Sequence, residues 1–144
     1  MTLPPHGLSS GFDVLLVDDD KDIIYTLKRG LENHGCSVTA FDRPAEALEI
    51  DPGKYDVAVL DVRMPELSGF ELARRLWKKN PELQVCFLSA FEIHPQESRM
   101  ALPSLKSHCF LTKPMLAADL ASHIASHFEA DHDASSDGNT ARAG

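Results

Sequence analysis

Short apolar segments recur along the chain and alternate with longer stretches whose apolar residues are spaced three or four apart. The short segments predict strands, because a strand covered on both faces of a parallel sheet is apolar throughout. The periodic stretches predict helices with one buried face. The five predicted strands lie at 12–17, 37–41, 57–60, 84–88 and 109–112.

Local residues set the expected ends of the helices. Asp20 is placed to cap the first helix, and Gly35 to end it. Pro44 is expected to open a short second helix. Ser68, with Glu71 three residues later, predicts a capping box at the start of the third.

The last third of the chain gives one weak and one strong helix pattern. Leu116, Leu120, Ile124 and Phe128 recur at every fourth position and predict a closing helix. Between residues 92 and 107, prolines interrupt any regular pattern, so we expect one short or irregular helix there.

Five strands alternating with five helices in residues 12–128 predict an α/β domain with one parallel sheet and helices on both faces. Right-handed crossovers and a ligand site at the switch point favour strand order 2-1-3-4-5. Residues 1–11 are rich in Pro, Gly and Ser and are expected to form a flexible leader. Residues 129–144 are polar and aperiodic, with four acids and one Arg, and are expected to form a disordered acidic tail.

Composition narrows the classes of function. The net charge is −8, from 22 acidic and 14 basic residues, which argues against direct binding to nucleic acid. No apolar run is long enough for a membrane span, and no signal peptide is evident, so we expect a cytoplasmic protein. Cys36, Cys86 and Cys109 follow no metal or disulfide spacing and are interpreted as small core residues in a reducing compartment.

Polar residues that could take part in catalysis or metal binding follow four of the five strands. Asp18 and Asp19 follow the first, Asp61 the third, Ser89 the fourth and Lys113 the fifth. Because parallel strands end at the same sheet edge, these groups are expected to converge there. Clustered carboxylates repel each other unless a cation joins them, and their hard oxygens suit Mg²⁺. A bound cation, a protruding carboxylate, a hydroxyl and a lysine are what phosphoryl transfer to an aspartate requires.

Four motifs spread over residues 12–128 resemble the receiver domains of two-component response regulators, which have a flavodoxin-like fold. The motifs are Leu-Val-Asp-Asp-Asp, Leu-Asp-Val-Arg-Met-Pro-Glu-Leu-Ser-Gly, Leu-Ser-Ala and Thr-Lys-Pro. The resemblance implies a stand-alone receiver that accepts a phosphoryl group from a sensor histidine kinase or a phosphotransfer protein. It also implies Mg²⁺ dependence and conformational signalling to a downstream protein. Such a receiver is no metabolic enzyme, but it catalyses its own phosphorylation and dephosphorylation.

The resemblance also implies a role for each site residue. Asp61 is the expected phosphoacceptor, with Ser89 and Lys113 as its catalytic partners. The expected metal site consists of Asp19 as a direct ligand, Asp18 acting largely through water, Asp61 and the backbone carbonyl of Arg63. Ser89 and Phe110 are the expected switch hydroxyl and switch aromatic.

Other interpretations of the same residues stay open. A Mg²⁺-dependent phosphotransferase or phosphatase of the haloacid dehalogenase type would use the same aspartyl nucleophile, but it needs a second acid where this chain has Arg63. A pseudo-receiver would bind partners without phosphorylation. Taken singly, the Asp18 and Asp19 pair could be an exposed turn, Lys113 a surface lysine and Phe110 a packing residue. With no effector domain expected after Phe128, output would be a protein contact, onward phosphotransfer or homodimerisation.

Overall fold

The computed structural model describes residues 11–90 and 109–136, with side chains described as far as residue 126. Its strands form one parallel sheet in the order β2-β1-β3-β4-β5, as predicted. They are β1 (Asp13–Val17), β2 (Ser37–Phe41), β3 (Val57–Asp61), β4 (Gln84–Ser89) and β5 (Cys109–Thr112). The helices are α1 (Lys21–Asn33), α2 (Pro44–Ala47), α3 (Gly69–Lys79) and the C-terminal helix (Ala117–Ser136), with a 3₁₀ turn at Pro52–Lys54.

The sheet separates two apolar clusters. Alternate residues of the central strands point to opposite faces, so Leu16 and Val59 join one cluster and Leu15 and Leu60 the other. The first cluster lies under α1 and the C-terminal helix, and the second under α2 and α3. Burial on both faces accounts for the unbroken apolar runs at residues 14–17 of β1 and 57–60 of β3.

The helix ends follow the predicted capping residues. The Asp20 carboxylate accepts a hydrogen bond from the backbone N–H of Asp22 at 2.9 Å. After α1, Gly35 adopts a φ of 95°, which glycine tolerates best. At α3 the Ser68 hydroxyl accepts from the Glu71 N–H at 3.1 Å, which confirms half of the predicted capping box. The Glu71 carboxylate binds Arg74 and Arg75 on the next turn instead.

The C-terminal helix differs from the prediction in length. The sequence predicts an end near Phe128, but the helix continues to Ser136 and so includes the first part of the segment 129–144 that is expected to form a disordered acidic tail. Ala130, Ala134 and Glu129 favour a helix, and a helix extends more easily than it nucleates once a packed segment is in place. Leu120 and Ile124, both fully buried, provide that packed segment.

Three other expectations fall on residues outside the described part of the chain. These are the leader at residues 1–10, the irregular helix between 92 and 107, and the tail at 137–144. Within the described residues, none of the helices has the length and apolar content that crossing a lipid bilayer would require.

Candidate phosphoacceptor site

The carboxyl edge of the sheet brings together the polar residues that follow four strands. Asp18 follows β1 directly, Asp61 and Ser89 are the last residues of β3 and β4, and Lys113 follows β5 directly. Asp18, Asp61 and Ser89 are exposed by only 1%, 4% and 2%. Burial of the two carboxylates costs free energy unless each has a hydrogen-bond or ion-pair partner, so both need such a partner.

Backbone hydrogen bonds beyond the strand ends hold these residues in place. The Asp18 N–H donates to the Phe41 carbonyl at 3.2 Å, which extends the β1–β2 ladder by one residue. The Lys113 N–H donates to the Ser89 carbonyl at 2.8 Å and fixes the start of the β5 loop on the end of β4. Asp18 and Lys113 are therefore attached by backbone hydrogen bonds to the ends of neighbouring strands.

Lys113 lies between the two buried carboxylates. Its Nζ is 2.8 Å from Asp18 Oδ2 and 3.2 Å from Asp61 Oδ1. The contact with Asp18 is a close ion pair between a largely buried ammonium and a buried carboxylate. The Lys113–Pro114 peptide bond is cis. One ammonium thus serves two acids, which leaves a net negative charge at the edge.

The pKa values of these groups reflect that imbalance. Burial, followed by the charge of Asp18, raises the pKa of Asp61 to about 6. Burial also raises the pKa of Asp18, although Lys113 partly offsets the effect. Burial opposes the charged form of Lys113, but its two carboxylate partners outweigh this and raise its pKa. The cluster would gain from additional positive charge.

The acids at this edge fit a divalent cation. Asp18, Asp19 and Asp61 each offer a carboxylate oxygen, and these three atoms lie within 4.8 Å of one another. Asp19 is exposed, whereas the other two are buried, so the set opens to solvent on one side. An all-oxygen set with room for water suits Mg²⁺. The remaining expected ligand is the backbone carbonyl of Arg63, which lies two residues beyond Asp61 in the loop after β3.

The two expected switch residues lie on neighbouring strands. Ser89 pairs in register with Thr112, and Phe110 pairs with Phe87 two rungs earlier. Phe110 is 37% exposed, and its ring stacks on Phe87 with a centroid distance of 5.3 Å and an interplanar angle of 20°. Since residues two apart in a strand share a face, Phe87 and Ser89 point to the same side of the sheet.

Sequence reasoning missed the role of Gly69 beside the acceptor. A Cβ at this first residue of α3 would collide with the backbone carbonyl of Asp61, and the Gly69 N–H donates to the Val62 carbonyl at 2.8 Å. The start of α3 is therefore packed directly against the backbone that carries Asp61. A glycine directly after a helix cap, where better helix formers are common, could have indicated this contact.

Comparison with known proteins identifies a family. The family model described as response regulator receiver domain matches residues 14–125, which include strands β2 to β5 and all of β1 except its first residue. The Francisella response regulator 1452 receiver domain has a similar solved structure, with a TM-score of 0.71 and 33% identity over 84% of this chain and 99% of that one.

Two curated relatives show how far sequence similarity extends. The response regulator receiver protein CpdR of Brucella abortus is 38% identical over 54% of this chain and 66% of its own length. The transcriptional regulatory protein PrrA of Mycobacterium tuberculosis is 34% identical over 76% of this chain, but only 46% of its own length. The match thus leaves a third of one relative and more than half of the other uncovered. The family match, the strand order and the fold together show that this chain belongs to the response regulator receiver domain family.

Proposed function

We propose that the chain accepts a phosphoryl group on Asp61 in a Mg²⁺-dependent reaction and signals to a partner protein through the resulting change of conformation. The observation that carries the proposal is the placement of Lys113 Nζ 3.2 Å from a buried Asp61 carboxylate, with two further acids beside it. An isolated surface aspartate would lack both the cation and the water-excluding walls that this reaction needs.

Each site residue has its own role in phosphoryl transfer. An Asp61 carboxylate oxygen attacks phosphorus, the bond to the donor nitrogen or oxygen breaks, and the donor leaves with that electron pair. Lys113 pairs with a phosphoryl oxygen, and the Ser89 hydroxyl donates a hydrogen bond to another. Asp18, Asp19, Asp61 and the Arg63 carbonyl would hold Mg²⁺, which when bound offsets the negative charge of both the acids and the phosphoryl group.

The same contacts suggest how phosphorylation changes the surface. A phosphoryl group on Asp61 draws the Lys113 ammonium and the Ser89 hydroxyl toward itself. Inward movement of Ser89 vacates space on the face of β4 that Phe87 and Phe110 already share, and Phe110 turns toward it. The edge of β5 then presents a different surface to a partner, which is a shift between two existing states of the protein.

The proposed partners follow from this chemistry. The phosphodonor is a sensor histidine kinase or a phosphotransfer protein, and the output is a contact with a downstream protein or with a second copy of this chain. Such a donor operates in the cytoplasm, which is the proposed location. Hydrolysis returns the protein to its resting state when water attacks phosphorus and Asp61 leaves as the carboxylate.

A small acyl phosphate or phosphoramidate tests the proposal directly. Wild-type protein incubated with the donor and Mg²⁺ should gain the mass of one phosphoryl group, and Asp61→Asn should gain none. Asp56→Asn is the matched control, because Asp56 lies at the opposite end of β3, where its carboxylate accepts a hydrogen bond from the Asp13 N–H at 2.8 Å. A phosphoryl group retained by Asp61→Asn, or a wild type that gains none, would contradict the assignment.

A further inference from the structure

Two of the three cysteines lie side by side in the sheet. The register of β4 and β5 pairs Cys86 with Cys109, and both belong to the apolar cluster under α1 and the C-terminal helix. Neighbouring strands lie about 5 Å apart, and in-register residues of parallel strands point to the same face. A disulfide needs Cα atoms about 4.4–6.8 Å apart, so the backbone spacing at this rung is compatible with one.

The two thiols also interact with each other. Their mutual interaction raises the pKa of the Cys86 thiol and lowers that of the Cys109 thiol. Cys36 has a different environment, because burial raises the pKa of its thiol to about 11. The described thiols are thus an adjacent pair and a separate third, and the lowered pKa of Cys109 makes it the more easily ionised thiol of the pair.

Cys109 also has the more accessible position. It is the first residue of β5, which is an edge strand of the sheet, and it is 8% exposed, whereas Cys86 is 1% exposed and lies inside the sheet. Strand ends at a sheet edge open locally at lower free energy than central strands. An oxidant would therefore reach Cys109 first, with Cys86 already adjacent to complete a bond.

We propose that Cys86 and Cys109 form a reversible dithiol–disulfide site that takes a peroxide as its oxidant. The Cys109 thiolate attacks one peroxide oxygen, the O–O bond breaks, and the departing oxygen takes up a proton to leave as water or an alcohol. Cys86 then attacks the Cys109 sulfur of the sulfenic acid, the S–S bond forms, and water leaves. Two thiols are oxidised to one disulfide, and an external thiol reverses the reaction.

The position of this site gives it a structural consequence at the carboxyl edge. The rungs after Cys86 and Cys109 pair Phe87 with Phe110, Leu88 with Leu111 and Ser89 with Thr112. A disulfide would fix β5 on β4 three rungs before the strands deliver Ser89 and Lys113, without contacting Asp61. In a reducing compartment the bond would form only transiently, as redox-sensing disulfides do.

The test is oxidation of the folded protein by hydrogen peroxide, followed by denaturation, alkylation and mass spectrometry. Wild type should lose the mass of two hydrogen atoms and retain one alkylatable thiol, and peptide mapping should identify a Cys86–Cys109 link that dithiothreitol removes. Cys36→Ala should form the same link. Cys86→Ala and Cys109→Ala should not form it.

The outcomes are separable from those of the phosphorylation proposal. Asp61→Asn should oxidise like wild type, since the link does not involve that residue. Three alkylatable thiols after peroxide treatment, a link that includes Cys36, or overoxidation of Cys109 without a link would each overturn the dithiol site. Should an alanine variant fail to fold, the mapped link in wild type still decides the question.

Discussion

Along β3, consecutive residues have nearly the same burial and contribute to the protein in opposite ways. Leu60 is fully buried among apolar side chains, whereas Asp61 is 4% exposed and shares one ammonium with a second buried carboxylate. Burial of the first stabilises the fold, because it removes apolar surface from water. Burial of the second costs free energy, because the charge loses its hydration. The interior of the sheet is built for stability, and its carboxyl edge is built for chemistry at some cost in stability.

The largest expected effect is on the interior. Leu60→Ala should lower the free energy of unfolding by about 3 kcal/mol, because it leaves a cavity in a closely packed cluster. Urea unfolding measures the loss. The matched control is Leu116→Ala, since Leu116 is 71% exposed and its truncation should change stability by less than about 0.5 kcal/mol. Similar losses in both variants would mean that the interior is not packed as described.

The next largest effect is expected when the Lys113 ammonium at the carboxyl edge of the sheet is removed. Lys113→Ala leaves Asp18 and Asp61 without their shared ammonium and should lower the free energy of unfolding by about 2 kcal/mol. Millimolar Mg²⁺ should restore part of this stability, because a bound cation replaces the missing charge. Thermal unfolding with Mg²⁺ or with a chelator measures both. Lys78→Ala, on the exposed surface of α3, is the control and should show neither effect.

Gly→Ala variants at two positions distinguish a loss of stability from a loss of phosphorylation rate. A Cβ at Gly69 would collide with the Asp61 carbonyl, and a Cβ at Gly30 would collide with Ala117 where α1 packs on the C-terminal helix. Either Gly→Ala change should cost about 1–2 kcal/mol despite alanine's better helix propensity. Only Gly69→Ala should also slow phosphorylation, by about tenfold, through displacement of the acceptor. Equal phosphorylation rates in both variants would show that Gly69 does not position Asp61.

Asp61→Asn should change the free energy of unfolding in the opposite direction to Leu60→Ala. Without divalent cations, neutralising one of two buried carboxylates should raise the free energy of unfolding by about 1 kcal/mol at neutral pH. Urea unfolding in chelator is the measurement, and Asp56→Asn should stay within about 0.5 kcal/mol of wild type. A loss of stability in Asp61→Asn would show that its charge supports the fold.

The smallest effect lies on the surface of α3. Bonds from Arg74 and then Arg75 lower the pKa of Glu71, so this contribution to stability is complete above the ordinary carboxyl range and lost as the pH falls through the lowered pKa. Glu71→Gln should cost about 0.5 kcal/mol at neutral pH, because exposed pairs are worth little. Unfolding of both proteins at neutral and acid pH should show this difference disappearing in acid. A difference that persists there would indicate a cause other than the ion pairs.

Prediction from the sequence succeeded where one local pattern has one structural solution. The unbroken apolar runs at β1 and β3 gave the buried strands, and Asp20 and Ser68 gave helix starts to the residue. It failed at the end of the C-terminal helix, because polar residues that cannot pack can still extend a helix that is already packed. The half-formed capping box failed for a related reason, since Glu71 had two arginines within reach on the next turn.

The sequence by itself determined the strands and their order. It also determined that four polar residues lie at the carboxyl edge of the sheet, because parallel strands end at the same edge. These residues are Asp18, Asp61, Ser89 and Lys113. Only the tertiary structure decided that Lys113 bridges two acids, that Gly69 lies against the Asp61 carbonyl, and that Cys86 pairs with Cys109. Those contacts join residues far apart in the chain, and their distances depend on strand register and helix packing. No local pattern of residue types contains that information.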